Sequence, residues 1–550
     1  MARLPQPPAE RSQRPTLWTL ASPLLLGCLL LTCILLPVLR NAYAAARTAR
    51  HSTARPTAGH PTAPLTARHS HRHSAAQGLS AHRRAGDPVR ELQTGFSDGE
   101  LFQSSNPAVR ALWLRRAKEE HASTIRLEAS WSSIAPIRPP SASDAEDPAW
   151  SGYSFSQLDE AVRSAAAEHF RILITVNGAP SWAEGAGRPP SATPGTWKPN
   201  ATQFGLFAKA LARRYSGSFV PAHQSSPLPR ISWWQAWNEP NLSVYLAPQW
   251  VRSHHRWIPT SPSIYRRMLD AFYFAIHRSL PHQHVVSGGT APYGDPPGGQ
   301  RMPPAQFVRH LFCLTERLTP ARCPQRAYFD VLDHHPYSVA GPYFKALDKN
   351  DVAIADMHKL TQPLHIAQRL HLIGGPRHHE VWVTEVSWDS DPPDPHGVPA
   401  LRQAHWMQQT FHLLWQEGVS TVLWYLIADQ PPIPSYSTTY QSGTYFIDGK
   451  PKPSATSFRF PLVIAHRSST QRSQHAPAAR LTTVRLTLWG KSPLHRSPVH
   501  VQQLQGKRWR TIETFRPPDR SGVFEVFVTV AERSTIRAIT GGIRTLPLDA

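Results

Sequence analysis

Eight short apolar runs recur through the middle of the chain, and stretches with the period of a helix lie between many of them. The runs are residues 93–96, 123–131 (STIRLEASW), 171–176 (RILITV), 231–237 (ISWWQAW), 284–288 (HVVSG), 329–334 (FDVLDH), 381–386 (VWVTEV) and 421–427 (TVLWYLI). Helical patterns fill residues 155–169, 202–215, 263–280 and 400–417. Strands that alternate with helices pair in parallel, because each helix returns the chain to the edge it started from. Eight such units within residues 91–465 predict an α/β fold, a closed (β/α)8 TIM barrel with insertions. With 40% hydrophobic residues the chain can fill a core of that size.

The polar and aromatic residues collect where the strands end. Trp131 closes the second run and Trp182 follows the third. Asn238 and Glu239 follow the fourth, His334, His335 and Tyr337 the sixth; Glu385 lies in the seventh and Trp424 in the eighth. Barrel enzymes carry their chemistry on that rim, whereas a residue needed only for packing has no reason to prefer it. Two carboxylates stand out, in Trp237-Asn238-Glu239-Pro240-Asn241 and in Thr384-Glu385. Strands four and seven lie on opposite sides of an eight-strand mouth, so these acids face each other across it. Two carboxyl groups in different protonation states are what cleavage of a glycosidic bond requires. A gap of about 5–5.5 Å allows direct attack and retention, and about 6.5–9.5 Å leaves room for water and gives inversion.

Asn-Glu-Pro after strand four with a glutamate after strand seven resembles the retaining glycoside hydrolases of clan A, in the style of families 5 and 39. The resemblance covers residues 91–465. It implies that Glu239 is the acid/base and Glu385 the nucleophile. It also implies that Asn238 binds the sugar 2-hydroxyl and that His335 and Tyr337 form a His-x-Tyr pair supporting the nucleophile. Trp424 would then floor the sugar subsite nearest the cleaved bond. The expected substrate is a β-linked polysaccharide or oligosaccharide, with no metal and no cofactor. Trp131 and Trp182 are either stacking platforms or rim packing. Arg126 either reaches the site or binds a core carboxylate; Glu128 and Asp333 are read as partners inside the barrel, and His334 as a satisfied core histidine. The alternative to an enzyme is a catalytically silent cell-surface glycan-binding protein, which would not need both glutamates.

Charge separates the ends from the middle. Of the net +22, residues 1–90 carry +10 and residues 466–550 carry +9, which leaves +3 for the rest. No recognition motif accompanies the charge, so nucleic acid is not the expected partner. An anionic cell-surface glycan suits it better, and no obligate protein partner is evident. Residues 1–44 combine Arg3, Arg11 and Arg14, an apolar run from Leu17 to Leu39 and an Ala42-Tyr43-Ala44 site. That is a signal peptide or an N-terminal membrane anchor, and either sends the chain outside the cell. Residues 45–90 form an Ala/Pro/His/Arg-rich linker expected to be disordered. Its six histidines lack the fixed spacing of a metal site. Cys313 and Cys323 are expected to form a local disulfide in an exported chain, worth about 3 kcal/mol. Residues 466–480 are polar and expected to be a linker; 481–550 alternate at period two, which predicts a small antiparallel β-sandwich.

Overall fold

The computed structural model describes residues 91–469 and 483–550. The apolar runs form the strands of one closed parallel barrel: β1 (Gln93–Ser97), β2 (Thr124–Ser130), β3 (Arg171–Asn177), β4 (Trp233–Ala236), β5 (His284–Ser287), β6 (Val331–Asp333), β7 (Glu380–Val383) and β8 (Val419–Tyr425). They neighbour one another in sequence order, and β8 pairs β1 with Phe96 opposite Trp424. A main helix follows each strand: α1 (Pro107–Glu119), α2 (Ser156–Ala167), α3 (Ala201–Arg214), α4 (Ser261–Ser279), α5 (Pro304–Leu311), α6 (His358–Arg369), α7 (Ala400–Gln416) and α8 (Pro453–Arg459). Local chemistry sets where they start. Asn106 caps α1 by accepting from the Ala108 amide at 2.9 Å, and Asn200 caps α3 by accepting from Gln203 at 3.1 Å.

Side-chain alternation divides each strand between two cores. Leu173, Val286, Val331, Trp382 and Leu423 fill the barrel interior, with Trp233 stacked on Trp382 at 4.6 Å between ring centres. Their neighbours on the other face, such as Phe96, Leu127, Val383 and Trp424, pack against the helices. Phe96 stacks on Phe458 of α8 at 4.2 Å, so the last helix seals the seam between β1 and β8. Above the apolar plug the interior turns polar, with Arg126, Thr175, Gln235, Asp333 and Thr384. That change of layer marks the floor of the site.

The C-terminal unit consists of two antiparallel sheets. One joins β9 (Leu462–Ser469), β10 (Thr483–Lys491) and β13 (Val523–Ala531). The other joins β12 (Arg508–Phe515), β11 (Val499–Gln505) and β14 (Thr535–Thr540), with two short C-terminal strands. The sequence places a linker at 466–480, but residues 466–469 belong to β9 and pair with β10. An edge strand keeps one side open to water, so polar residues such as Arg467 and Ser468 are tolerated there. The sandwich therefore starts at Leu462 rather than at 481. Among the described residues no helix is long and apolar enough to cross a membrane; the segments 1–44 and 45–90 lie outside the described residues. Cys313 and Cys323 are disulfide-bonded, with Cα atoms 5.8 Å apart.

Barrel and sandwich share one junction. Trp489 of β10 is fully buried in the barrel's outer core, 5.2 Å from His412 and 5.8 Å from Trp415 of α7. Lys491 reaches back to the Thr94 hydroxyl of β1 at 3.3 Å. His412 is buried with neither ring nitrogen hydrogen-bonded, and burial lowers its pKa to about 4. The unfolded chain therefore binds a proton that the folded chain refuses between the ordinary pKa and that value. Stability is complete above about pH 6.5 and falls as pH drops, by up to about 3 kcal/mol at pH 4. We expect His412→Leu to lose this slope, read as a smaller difference between melting temperatures at pH 7.5 and pH 4.5.

Candidate active site

The chain turns sharply out of β4 to present Glu239. Trp237 and Glu239 both adopt the left-handed backbone region, at φ +78° and +35°. For a bulky residue that is strained, and such strain persists only where packing dictates it. Trp237 is held there by its indole N–H, which donates to the Tyr245 carbonyl at 2.9 Å. Beyond β7, Glu385 points into the same space, less buried than Glu239. One oxygen of each carboxylate and one ring nitrogen of His335 lie within 4.8 Å of one another.

Arg126 organises the pair from below. Its guanidinium donates to a Glu385 oxygen, to Asn238 Oδ1 at 2.8 Å, to Thr175 Oγ1 at 2.7 Å and to Ser97 Oγ at 3.2 Å. Both readings offered by the sequence meet in one side chain, since this buried arginine reaches the site and its partner is the site's own carboxylate. Tyr337 donates its hydroxyl proton to the other Glu385 oxygen at 3.0 Å. His335 Nδ1 lies 3.0 Å from Glu239 Oε1, and Nε2 lies 3.0 Å from Thr384 Oγ1. Thr384 in turn donates to Asp333, which also accepts from Gln235 and from the Thr384 amide. Asp333 is thus an interior anchor. His334 donates its Nε2–H to the Val352 carbonyl at 2.9 Å and pairs Nδ1 with the Thr290 hydroxyl at 2.8 Å, so it is a satisfied core histidine.

This arrangement drives the carboxylates apart in acidity. Burial raises the Glu239 pKa; His335 opposes the rise and the charge of Glu385 adds to it. Burial also works against ionised Glu385, but His335, Arg126 and Tyr337 outweigh it and hold its pKa below the ordinary value. Burial lowers the pKa of His335, yet Glu385, Asp333 and Glu239 together raise it to about 10. The ring is therefore an imidazolium that donates to both neighbours. Glu239, His335 and Glu385 also have the spacing of a metal-ligand set. A cation there would compete with the Arg126 guanidinium on Glu385 and meet the charged imidazolium, so the donor set suits proton chemistry and not a metal.

The tryptophans lie elsewhere. Trp424 is fully buried in the outer layer, its indole N–H donating to the Ser442 carbonyl at 2.8 Å. It cannot floor a sugar subsite, because alternation along β8 points Leu423 and Tyr425 inward and Trp424 outward. Trp131 is fully buried among Phe204, Phe207 and Trp182, which makes it packing. Trp182 packs edge-on against it at 5.8 Å and spends its N–H on the Ala135 carbonyl at 2.9 Å. The aromatic walls of the site are instead Tyr245, Tyr425 and Tyr440. Each phenol is pushed up by burial, and each also feels the charge of Glu385. Tyr425 meets Tyr440 edge to face at 5.1 Å. The inward parity of Tyr425 was available in the sequence, but Tyr245 and Tyr440 sit in loops that carry no periodic signal.

No family model matches the chain, and no curated protein matches it. Several solved structures are similar to it at low identity. A family 39 glycoside hydrolase from the gut symbiont Bacteroides cellulosilyticus WH2 is 16% identical over 82% of this chain and 81% of its own, with a TM-score of 0.48. A glucosidase from Croceicoccus marinus is 12% identical over 83% and 94%, with a TM-score of 0.43. A GH30 endoxylanase from Clostridium papyrosolvens C71 is 12% identical over 82% and 96%, with a TM-score of 0.40. At these identities the likeness assigns no residue a role.

Proposed function

We propose that the chain is a retaining glycosidase acting on β-linked polysaccharide or oligosaccharide, with Glu239 as acid/base and Glu385 as nucleophile. The observation that carries this reading is the close facing of two carboxylates with opposed pKa directions. One oxygen of each carboxylate lies within 4.8 Å of the other, a close approach that supports direct attack rather than the wider gap of inverting enzymes. In the first step Glu385 attacks the anomeric carbon while Glu239 gives its proton to the departing glycosidic oxygen. In the second, Glu239 takes a proton from water as that water attacks the glycosyl ester and releases Glu385. His335 and Arg126 stabilise the carboxylate charge that appears on each glutamate in turn. Because Arg126 occupies Asn238 Oδ1, the Asn238 amide nitrogen remains as the group to donate toward a sugar hydroxyl.

Two further readings belong to this proposal. The N-terminal segment exports the chain, either cleaved or retained as an anchor. The basic C-terminal region attracts it to anionic glycan at a cell surface.

The test is Glu239→Ala assayed on two substrate types. On polymeric glycan, where the leaving group needs a proton, turnover should fall by about 10²–10⁴-fold. On a 2,4-dinitrophenyl glycoside, whose leaving group needs none, the glycosylation step should be largely spared. Equal losses on both would contradict the acid role.

A further inference from the structure

We propose that Glu128 is the specificity-determining carboxylate of the cleft, binding the hydroxyls of a neutral sugar unit and excluding uronic acids. This rests on the glycosidase reading and narrows its substrate class.

Glu128 lies two residues beyond Arg126 on β2, so both side chains leave the same face of the strand, toward the barrel axis. Arg126 forms the floor, and Glu128 stands one layer higher, at the mouth. It is the one exposed residue in an otherwise covered strand. Its backbone is clamped: its amide donates to Gln103 Oε1 at 2.6 Å, and its carbonyl accepts from Gln103 Nε2 at 2.9 Å. The carboxyl carbon lies beside Gly99, where an added Cβ would come within 3.7 Å of it. The nearest cation, Arg126, spends its donors on Glu385, Asn238, Thr175 and Ser97. Glu128 was expected to have a partner inside the barrel; its carboxylate makes no hydrogen bond or ion pair among the described residues. Its parity with Arg126 keeps it on the inward face of β2, and its charge and that of Glu385 act on each other, as it also acts on Tyr245 and Tyr425.

A carboxylate held rigidly by its backbone, open to a cleft and unpaired, is an acceptor awaiting donors. It offers two oxygens with several lone-pair directions, which suit two adjacent sugar hydroxyls. A uronic acid would set a second carboxylate against Glu128 and ionised Glu385, and like charges brought together at an interface are strongly disfavoured. The basic ends of the chain and the cleft therefore have different tastes: the ends suit an acidic surface, and the cleft a neutral sugar.

The experiment measures binding in a full-length Glu239→Gln background, in which the amide stands in for the protonated acid and hydrolysis is blocked. Calorimetry is run with cellotetraose, xylotetraose, mannotetraose and a glucuronic-acid-containing disaccharide. The background protein should bind at least one neutral tetraose and prefer it to the uronide. Adding Glu128→Ala should weaken that binding by about 10- to 100-fold without changing the melting temperature. Adding Glu128→Gln should weaken it less and narrow the preference over the uronide. Unchanged affinity in Glu128→Ala, or a background protein that prefers the uronide, would overturn the assignment and leave the glycosidase reading standing. A background protein that binds none of the sugars would overturn both.

Discussion

Glu385→Gln should reduce turnover by on the order of 10⁵-fold on every substrate the protein accepts, activated or not. The amide nearly preserves shape: its oxygen still accepts from Arg126, and its NH2 donates to the Tyr337 hydroxyl, which turns to accept, so the fold should survive and circular dichroism should be unchanged. What disappears is the attacking oxygen, for which no other group is placed: Glu239 is held toward its protonated form and Asp333 is anchored beneath the floor. In Glu385→Gly, which vacates the carboxylate's space, an external nucleophile such as azide, given an activated glycoside, should restore part of the activity and deliver the product with the opposite anomeric configuration. Residual activity within tenfold of the natural enzyme would remove Glu385 from its role.

Arg126→Met should affect stability and acidity together. The arginine is fully buried and serves four partners on β1, β3 and the segments after β4 and β7. Removing one side of a buried ionic contact leaves the other uncompensated, at about 3–5 kcal/mol. The pH consequence has a definite sign. Glu385 is depressed in the folded state, so its stabilising contribution is present above its ordinary pKa and is lost as pH falls through the depressed value. Without Arg126 that depression shrinks. The acidic limb of kcat/KM should move to higher pH, and denaturant unfolding should show the stability loss already at pH 7. An acidic limb left in place would show that His335 and Tyr337 suffice without the arginine.

How far the sequence carried depends on the kind of signal. All eight barrel strands were legible because apolar runs and helical stretches alternate, and both glutamates were legible because they close strands on opposite sides of the mouth. Trp424 was misplaced for a simple reason: a conspicuous aromatic attracted attention that belonged to its neighbour Tyr425, and strict alternation from Leu423 separates the two. Trp131 stayed open between platform and packing because it ends a strand, and the turn there folds it back over Phe204 and Phe207 as packing. The dual service of Arg126 was beyond sequence reasoning, since it depends on four groups, one of them 259 positions away from it, converging on one guanidinium. The start of the sandwich was missed because an edge strand needs only one covered face.

Trp489 has a last consequence, for how the two halves of the molecule can work together. A glycan-binding module on a loose tether searches a volume, and its benefit to the enzyme depends on tether length. With Trp489 sunk into the barrel's outer core and Lys491 reaching to β1, this sandwich has no such freedom. It behaves as a fixed bracket, so a polymer resting on it would reach the cleft at one angle and one offset. Exchanging it for a foreign module would sacrifice that alignment along with part of the barrel's own core.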